Sequence, residues 1–264
     1  MSAVIDEAAN RLLRAHRDRV PCEPVRDLIG AGDLDAAYAV QERVVARRRD
    51  AGAVVVGCKI GLTSAAVQQQ FGVFEPDFGV VLDDMLHPKG VELSLDAFLQ
   101  PKVEAEIAFV LGEDLESPTT SIADLLGATR FVLPAIEIVD SRIQSWDVTI
   151  ADTVADNASS GGVVLGTVPH SLDGLDLSQV GMVLDLDGDD VSYGSGAACM
   201  GSPVVSATWV ARELARRGQP LRRGDVVLAG ALGPMVDVSG PGRFTARFSE
   251  LGEVDVIFTQ GAVR

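Results

Sequence analysis

The sequence predicts a β-rich α+β fold with its helices gathered at the N-terminal end. Helical periodicity is confined to residues 2–50 and one later segment. From Val54 onward, short β-branched runs follow one another, separated by glycines and Asp-Gly steps. Internal repeats, heptads and low-complexity tracts are absent. At 264 residues the chain suits one large domain with a smaller helical addition. The expected division is an N-terminal helical region, 1–53, and a β-rich domain, 54–264, that carries the chemistry.

Residues 2–19 and 33–50 read as helices. In the second, Leu34, Ala37, Val40, Gln41, Val44 and Val45 recur at helical spacing, Asp33 is placed to cap the start, and Arg47, Arg48 and Arg49 suit the dipole at the end. Val54–Gly61 is short, β-branched and glycine-bounded, and reads as a strand. Thr63 or Ser64 is expected to cap a helix running to Gln70 and stopped by Gly72. Strands are expected at 80–82, 103–111, 131–139, 162–166, 181–186, 225–229 and 254–258. One helix interrupts them, with Ser202 as cap, Pro203 in its first turn, and Gly218 and Pro220 after its end.

Hydrophobic residues at 47% and charged residues at 23% are ordinary for a soluble globular protein, and 5% aromatics leave the core to Val, Leu, Ile and Ala. A formal charge of -16 argues against nucleic acid and anionic membranes as partners. An anionic substrate would then need a local positive centre. No apolar run reaches the spanning length of about 20 residues and no signal-peptide pattern opens the chain, so a cytoplasmic setting is expected. Cys22, Cys58 and Cys199 are too few and too scattered for a disulfide framework or a zinc site. No G-x-S-x-G elbow, P-loop or G-x-G-x-x-G fingerprint is present.

The candidate chemistry lies in three glutamates. Alternation puts Lys102, Glu104, Glu106 and Ala108 on one strand face and Val103, Ala105, Ile107 and Phe109 on the other. Glu104 and Glu106 are then roughly 7 Å apart along the strand. Glu137 lies among Leu133, Ala135, Ile136, Ile138 and Val139, where a carboxylate must be neutralised or paired. Three hard oxygen donors from two strands suit Mg2+ or Mn2+. The alternative is an ion-pair cluster neutralised by Lys102 and nearby arginines.

Lys59, at the end of a glycine-flanked apolar strand, is either a functional amine or a strand-end lysine reaching solvent. Asp77 follows a proline on a loop entering a strand. Asp156-Asn-Ala-Ser-Ser-Gly-Gly162 offers hydroxyls, Ser159 and Ser160 among them, and backbone N–H groups that could hold a carboxylate. Gly230-Ala-Leu-Gly233 either approaches a ligand or turns the chain. His16, His87 and His170 lie apart from these segments in the sequence.

Gly57-Cys-Lys-Ile-Gly-Leu-Thr-Ser64, Glu75-Pro-Asp-Phe-Gly79, Leu82-Asp-Asp-Met85, Gln100 to Leu111, Pro134 to Arg142 and Ala155 to Ser160 stand in a characteristic order. In them the chain resembles the 2-keto-4-pentenoate (2-hydroxypenta-2,4-dienoate) hydratases and the 4-oxalocrotonate decarboxylases of the fumarylacetoacetate hydrolase superfamily. The likeness runs from about residue 30 to the C-terminus. It implies a mixed β-roll core with an N-terminal helical region. It also implies Mg2+ or Mn2+ on Glu104, Glu106 and Glu137, catalytic roles for Lys59 and Asp77, and Ser159 beside the substrate carboxylate. The implied reaction is hydration of a 2-hydroxydienoate to a 4-hydroxy-2-oxoacid, in meta-cleavage catabolism of aromatic or steroid rings. A homo-oligomer, based on pentameric rings and open to complex formation with another enzyme of its pathway, is implied as well. Two rivals stand beside it: decarboxylation of 2-oxo-3-hexenedioate, and a non-catalytic place in a hydratase-decarboxylase complex. Hydrolysis of a C–C bond is disfavoured by the lack of histidine in these segments. Arg142, expected to pair with Asp140, is the only further cation for a second substrate carboxylate. Apolar residues around Phe71 to Phe78 are expected to favour an uncharged tail.

Overall fold

Apolar residues at helical spacing decide how the N-terminal end packs. In the computed structural model, which describes residues 2–64, 68 and 75–261, helix α1 (Ser2–Asp18) buries Ile5, Ala8, Ala9, Leu12 and Ala15 along one stripe. A single-turn helix α2 (Arg26–Ile29) leads to α3 (Leu34–Asp50). Asp33 caps α3 by accepting the Ala36 N–H at 2.9 Å, as its sequence implies. Asp6 of α1 bridges to Arg43 and Arg47 of α3. Buried Gln41 donates to the carbonyls of Phe78 at 2.8 Å and Val154 at 3.0 Å, tying α3 to the rest of the chain.

The long mixed sheet runs in the order β2 (Asp77–Leu82), β1 (Val55–Gly61), β10 (Val226–Ala231), β5 (Pro101–Leu111), β6 (Thr129–Asp140), β7 (Ser160–Leu165) and β3 (Leu86–Pro88). A short β11 (Val236–Asp237) adds to β5. The second sheet runs β4 (Glu92–Ser94), β13 (Gly252–Thr259), β12 (Gly242–Phe248), β8 (Gly181–Leu186) and β9 (Asp189–Ser195). Pairs β1–β10, β3–β7 and β4–β13 are parallel, and the other pairs are antiparallel. One face of the long sheet carries Cys58, Ile60, Val103, Ala105, Ile107, Phe109, Ile136 and Ile138 into the main core. The other carries Ala108, Leu133, Ala135, Val163 and Leu228 into a smaller cluster with Val45 of α3. The glutamates share the parity of this second face.

Helix α6 (Pro203–Arg216) begins at Ser202 as expected. The expectation of a single helix among the strands from residue 80 onward is corrected by α4 (Ile122–Ala128) and α5 (Ile150–Ala155). Both are too short to display an apolar period, and side chains fix their starts. Ser121 and Asp124 bond reciprocally, and Asp152 accepts the Thr149 N–H at 2.9 Å. Asp152 also accepts the Arg26 N–H at 2.8 Å and its guanidinium at 2.7 Å, clipping α2 to α5. Strand β12 was not expected, although Phe244, Ala246 and Phe248 alternate inward in it. The helix expected from Thr63 or Ser64 to Gln70 lies outside the described residues apart from its first positions and Gln68.

A cavity of about 220 Å³ separates α1 and α3 from the sheet, lined by His16, Arg48, Met85, His87, Arg142 and Ser160 among others. Burial, then Arg142, Arg19 and Arg48, lower the pKa of His16 from 6.5 to about 4. Between those values the unfolded chain binds the extra proton, so stability falls as pH drops from 6.5 to 4. His16→Asn is expected to flatten the stability profile in that window, measured by urea unfolding at several pH values. An unchanged slope would remove His16 from the acid response.

Candidate active site

The antiparallel register of β5 and β6 sets Glu104 directly opposite Glu137, with Glu106 two residues further along the same face. Carboxylate oxygens of all three lie within 4.8 Å of one another. Like charges so placed repel, and the neighbouring strands supply the compensation. Strand β1 brings Lys59, whose Nζ lies 3.1 Å from Glu137 Oε1. Cys58 faces the opposite way, into the main core. Strand β2 begins at Asp77, opposite Gly61 of β1. A Cβ on Gly61 would come within 2.2 Å of Asp77 Oδ1 and 3.6 Å of Lys59 Nζ. Glycine at that position lets the carboxylate lie over the backbone beside the ammonium.

Five ionisable groups therefore share one largely buried cluster. Lys59, Asp77, Glu106 and Glu137 are all at most 3% exposed, so each charge has lost nearly all its water. Burial works to lower Lys59, but attraction to Glu137 and then Asp77 outweighs it and keeps the ammonium charged above its usual range. Burial raises Asp77 to about 6, with Lys59 pulling the other way. Burial and then Glu137 raise Glu104 to about 7, and burial, Glu137 and Glu104 hold Glu106 well above the carboxylate range. Among the described residues Lys59 is the one cation in ion-pair contact with these carboxyls.

Glu106 Oε1, Glu137 Oε2 and both Asp77 oxygens are buried without a hydrogen-bond partner. Orphaned acceptors of this kind carry a desolvation cost that a cation would relieve. Three hard oxygen donors, two of them on buried residues and two with free buried oxygens, fit a divalent cation. Glu106 Oε2 is already engaged, accepting the Gly230 N–H at 2.8 Å.

Ser159 and Ser160 close a tight turn at the start of β7. Asn157, Ala158 and Ser159 all hold left-handed φ, at 57°, 49° and 52°. For non-glycine residues this conformation is strained, and the surroundings must impose it. Asn157 does so from its side chain, accepting the Val80 N–H at 2.8 Å and donating to the Val80 carbonyl at 2.9 Å. Arg142 grips the same turn, pairing with Asp156 and donating to the carbonyls of Asp156 and Ser160. Ser159 Oγ lies 3.4 Å from Asp156 Oδ2, while Ser160 Oγ is buried with no partner.

Several expectations need correction. Lys102 does not neutralise the glutamates: it pairs with Asp237 at 2.6 Å and lies over the Trp146 ring. Strand β11 holds Asp237 opposite Lys102, which draws the lysine away from the cluster. Arg142 is not paired with Asp140, because Asp140 accepts the Leu99 and Gln100 N–H groups while the chain turns Arg142 towards Asp156. Asp77 is the first residue of a strand and not a loop residue. Phe71 to Phe74 lie outside the described residues, and Phe78 stacks on Tyr38 at 4.8 Å within the core. His16 and His87 share their cavity with Arg142 and Ser160, but Lys59, Asp77 and the three glutamates do not line it. Asn157 and the bracing role of Arg142 were not legible, since each acts on a partner distant in sequence. Gly230 stood out only as part of a glycine-rich turn.

A family model described as the C-terminal part of fumarylacetoacetate (FAA) hydrolase matches residues 38–259. The TodF product hydratase of Pseudomonas putida F1 is 53% identical over 98% of this chain and 97% of its own length. A 2-keto-4-pentenoate hydratase of Paraburkholderia xenovorans LB400 is 49% identical over 96% and 94%. Among solved structures, 4-oxalocrotonate decarboxylase from Pseudomonas putida G7, complexed with magnesium and adipate, superposes with a TM-score of 0.92 at 32% identity, covering 97% of each chain. The β-rich α+β core with N-terminal helices is thus the fold of that protein, and the chain belongs to the fumarylacetoacetate hydrolase family.

Proposed function

We propose that the protein hydrates 2-hydroxypenta-2,4-dienoate, or a substituted analogue, to a 4-hydroxy-2-oxoacid. The observation that carries this reading is the near-full-length likeness to named hydratases. The carboxylate cluster around Lys59 supplies the means.

Glu104, Glu106 and Glu137 would hold a divalent ion, proposed as Mg2+ or Mn2+. Such an ion supplies Lewis acidity to the carboxylate and C2 oxygen of a 2-oxo acid. Lys59, still charged in its buried pair with Glu137, stabilises negative charge on the C2 oxygen. Asp77, raised to about 6, can both accept and give a proton near neutral pH. The steps balance simply. A proton leaves the enol oxygen and one arrives at C5, leaving a C3–C4 double bond conjugated to the ketone. The oxygen of water then bonds to C4 and a proton is delivered to C3. Ser159 and Ser160, at the end of the strained turn, are proposed to receive the substrate carboxylate.

Decarboxylation of a dioic acid would want a free cation for the second carboxylate. Arg142, the cation the sequence offered, is committed to Asp156 and two carbonyls. That supports hydration. Among the described residues no helix is long and apolar enough to cross a membrane. A cytoplasmic homo-oligomer, with residues 54–264 as its catalytic part, completes the proposal.

Chelation is expected to abolish turnover and Mg2+ or Mn2+ to restore it, with Glu106→Gln folded but inactive. Full activity in chelator-treated protein would refute the metal role. Lys59→Met is expected to slow the metal-loaded enzyme roughly 10²- to 10³-fold, the cost of one charge-stabilising donor. In chelator the same change should lower unfolding free energy by about 3–5 kcal/mol, because Glu137 loses its buried partner. An unchanged rate constant would leave Lys59 a structural lysine. Product analysis decides the reaction: 4-hydroxy-2-oxopentanoate from the dienoate supports hydration. Release of CO2 from 2-oxo-3-hexenedioate, with no hydration, would overturn it in favour of decarboxylation.

A further inference from the structure

Strand β10 does not keep regular register beside the glutamates. Leu228 stands opposite Ala108, so an undisturbed antiparallel ladder would bring Gly230 opposite Glu106; Ala231 stands there instead. One extra residue is accommodated in β10, which makes a bulge. Its consequence is visible at Gly230, whose N–H points to the Glu106 side chain and donates to Oε2 at 2.8 Å. Glu106 Oε1 is left as the oxygen without a partner.

The bulge is held from outside the sheet. Ser206, in the first turns of α6, donates its hydroxyl to the Ala229 carbonyl. The Cys199 thiol lies 3.0 Å from the Gly230 carbonyl and 3.4 Å from that of Ala231. Regular pairing resumes immediately afterwards, with the Leu232 N–H donating to the Ala105 carbonyl at 3.0 Å. Gly230 itself has φ of +102°, and a Cβ there would lie 2.4 Å from Thr63 Cγ2. Only glycine fits between Thr63 and the bulge. Thr63 is itself tied to the same segment, since its carbonyl accepts the Met200 N–H at 3.1 Å.

We propose that Cys199 and Ser206 are positioning residues for the metal centre, acting through the Ala229–Ala231 bulge to fix the rotation of Glu106 and present its free oxygen to the ion. The inference rests on the metal reading of Glu104, Glu106 and Glu137. A donor that anchors one oxygen of a ligating carboxylate fixes the direction of the other, and loss of such partners typically weakens metal binding. Neither side chain faces substrate in this scheme. Each holds a peptide plane, and the peptide holds the ligand.

The test is calorimetric titration of Mn2+ into the full-length, chelator-treated protein, with thermal unfolding of the metal-free form recorded alongside. Cys199→Ala and Ser206→Ala should each weaken Mn2+ binding roughly tenfold, as expected for partners of metal ligands, while unfolding stays cooperative. Cys199→Ser retains a donor and should recover most of the affinity, which a purely space-filling role for the sulfur would not predict. If Cys199→Ala fails to fold, Ser206→Ala and Cys199→Ser decide the matter. Unsubstituted affinity in both alanine variants would overturn the positioning role and leave the metal reading intact. Failure of the unsubstituted protein to take up Mn2+ would overturn both.

Discussion

The buried pair of Lys59 and Glu137 is the contact on which the site depends. It neutralises one carboxylate in a pocket that holds four carboxyls and a single ammonium. What remains is an excess of acid groups, of which Glu104 alone is partly exposed. Burial first, and for both groups repulsion from Glu137, raise Asp77 to about 6 and Glu104 to about 7, against the pull of Lys59. A divalent ion held by these carboxyls would favour their ionised forms, so its uptake would be tied to pH. The architecture serves the same end. Four strands converge so that each contributes one or two side chains, and glycines at 61 and 230 leave out the Cβ atoms that would collide with Asp77 and Thr63.

At the start of β7 the chain accepts backbone strain and distributes the restraint widely. The turn through Asn157, Ala158 and Ser159 has no intrinsic reason to stay left-handed. It is imposed by Val80 from β2 and by Arg142 from the end of β6. The turn is thus clamped between strands near opposite ends of the long sheet. A residue that looks from sequence like a spare cation is in fact consumed by holding backbone.

The carboxylates were the most legible part of the molecule. A glutamate inside Ile136-Glu-Ile138 must be neutralised or paired, and alternation alone puts Glu104 and Glu106 on one face. The long helices were equally plain, because seventeen residues in each of α1 and α3 give an apolar period room to repeat. The short helices α4 and α5 were missed for the converse reason. Lys59 was ambiguous because a strand-end lysine and a buried one have the same local sequence; only the neighbouring strand decides. The alternative of an ion-pair cluster built on Lys102 rested on proximity along β5, whereas cross-strand pairing with Asp237 engages that lysine. The bulge at Gly230 lies beyond sequence reasoning altogether, since register is a relation between two strands.

Strand order has a kinetic consequence. Glu104, Glu106 and Glu137 come together through the pairing of β5 with β6, neighbours in the chain joined across α4. Lys59 joins them only once β1 has paired with β10, closing a loop from Lys59 to Leu228. Local contacts form readily and long loops close late. The like charges are therefore assembled before their counter-charge arrives, and at alkaline pH the partly built sheet must carry that repulsion. Repulsion among the glutamates then weighs on the pairing of β5 with β6, and not only on the finished site.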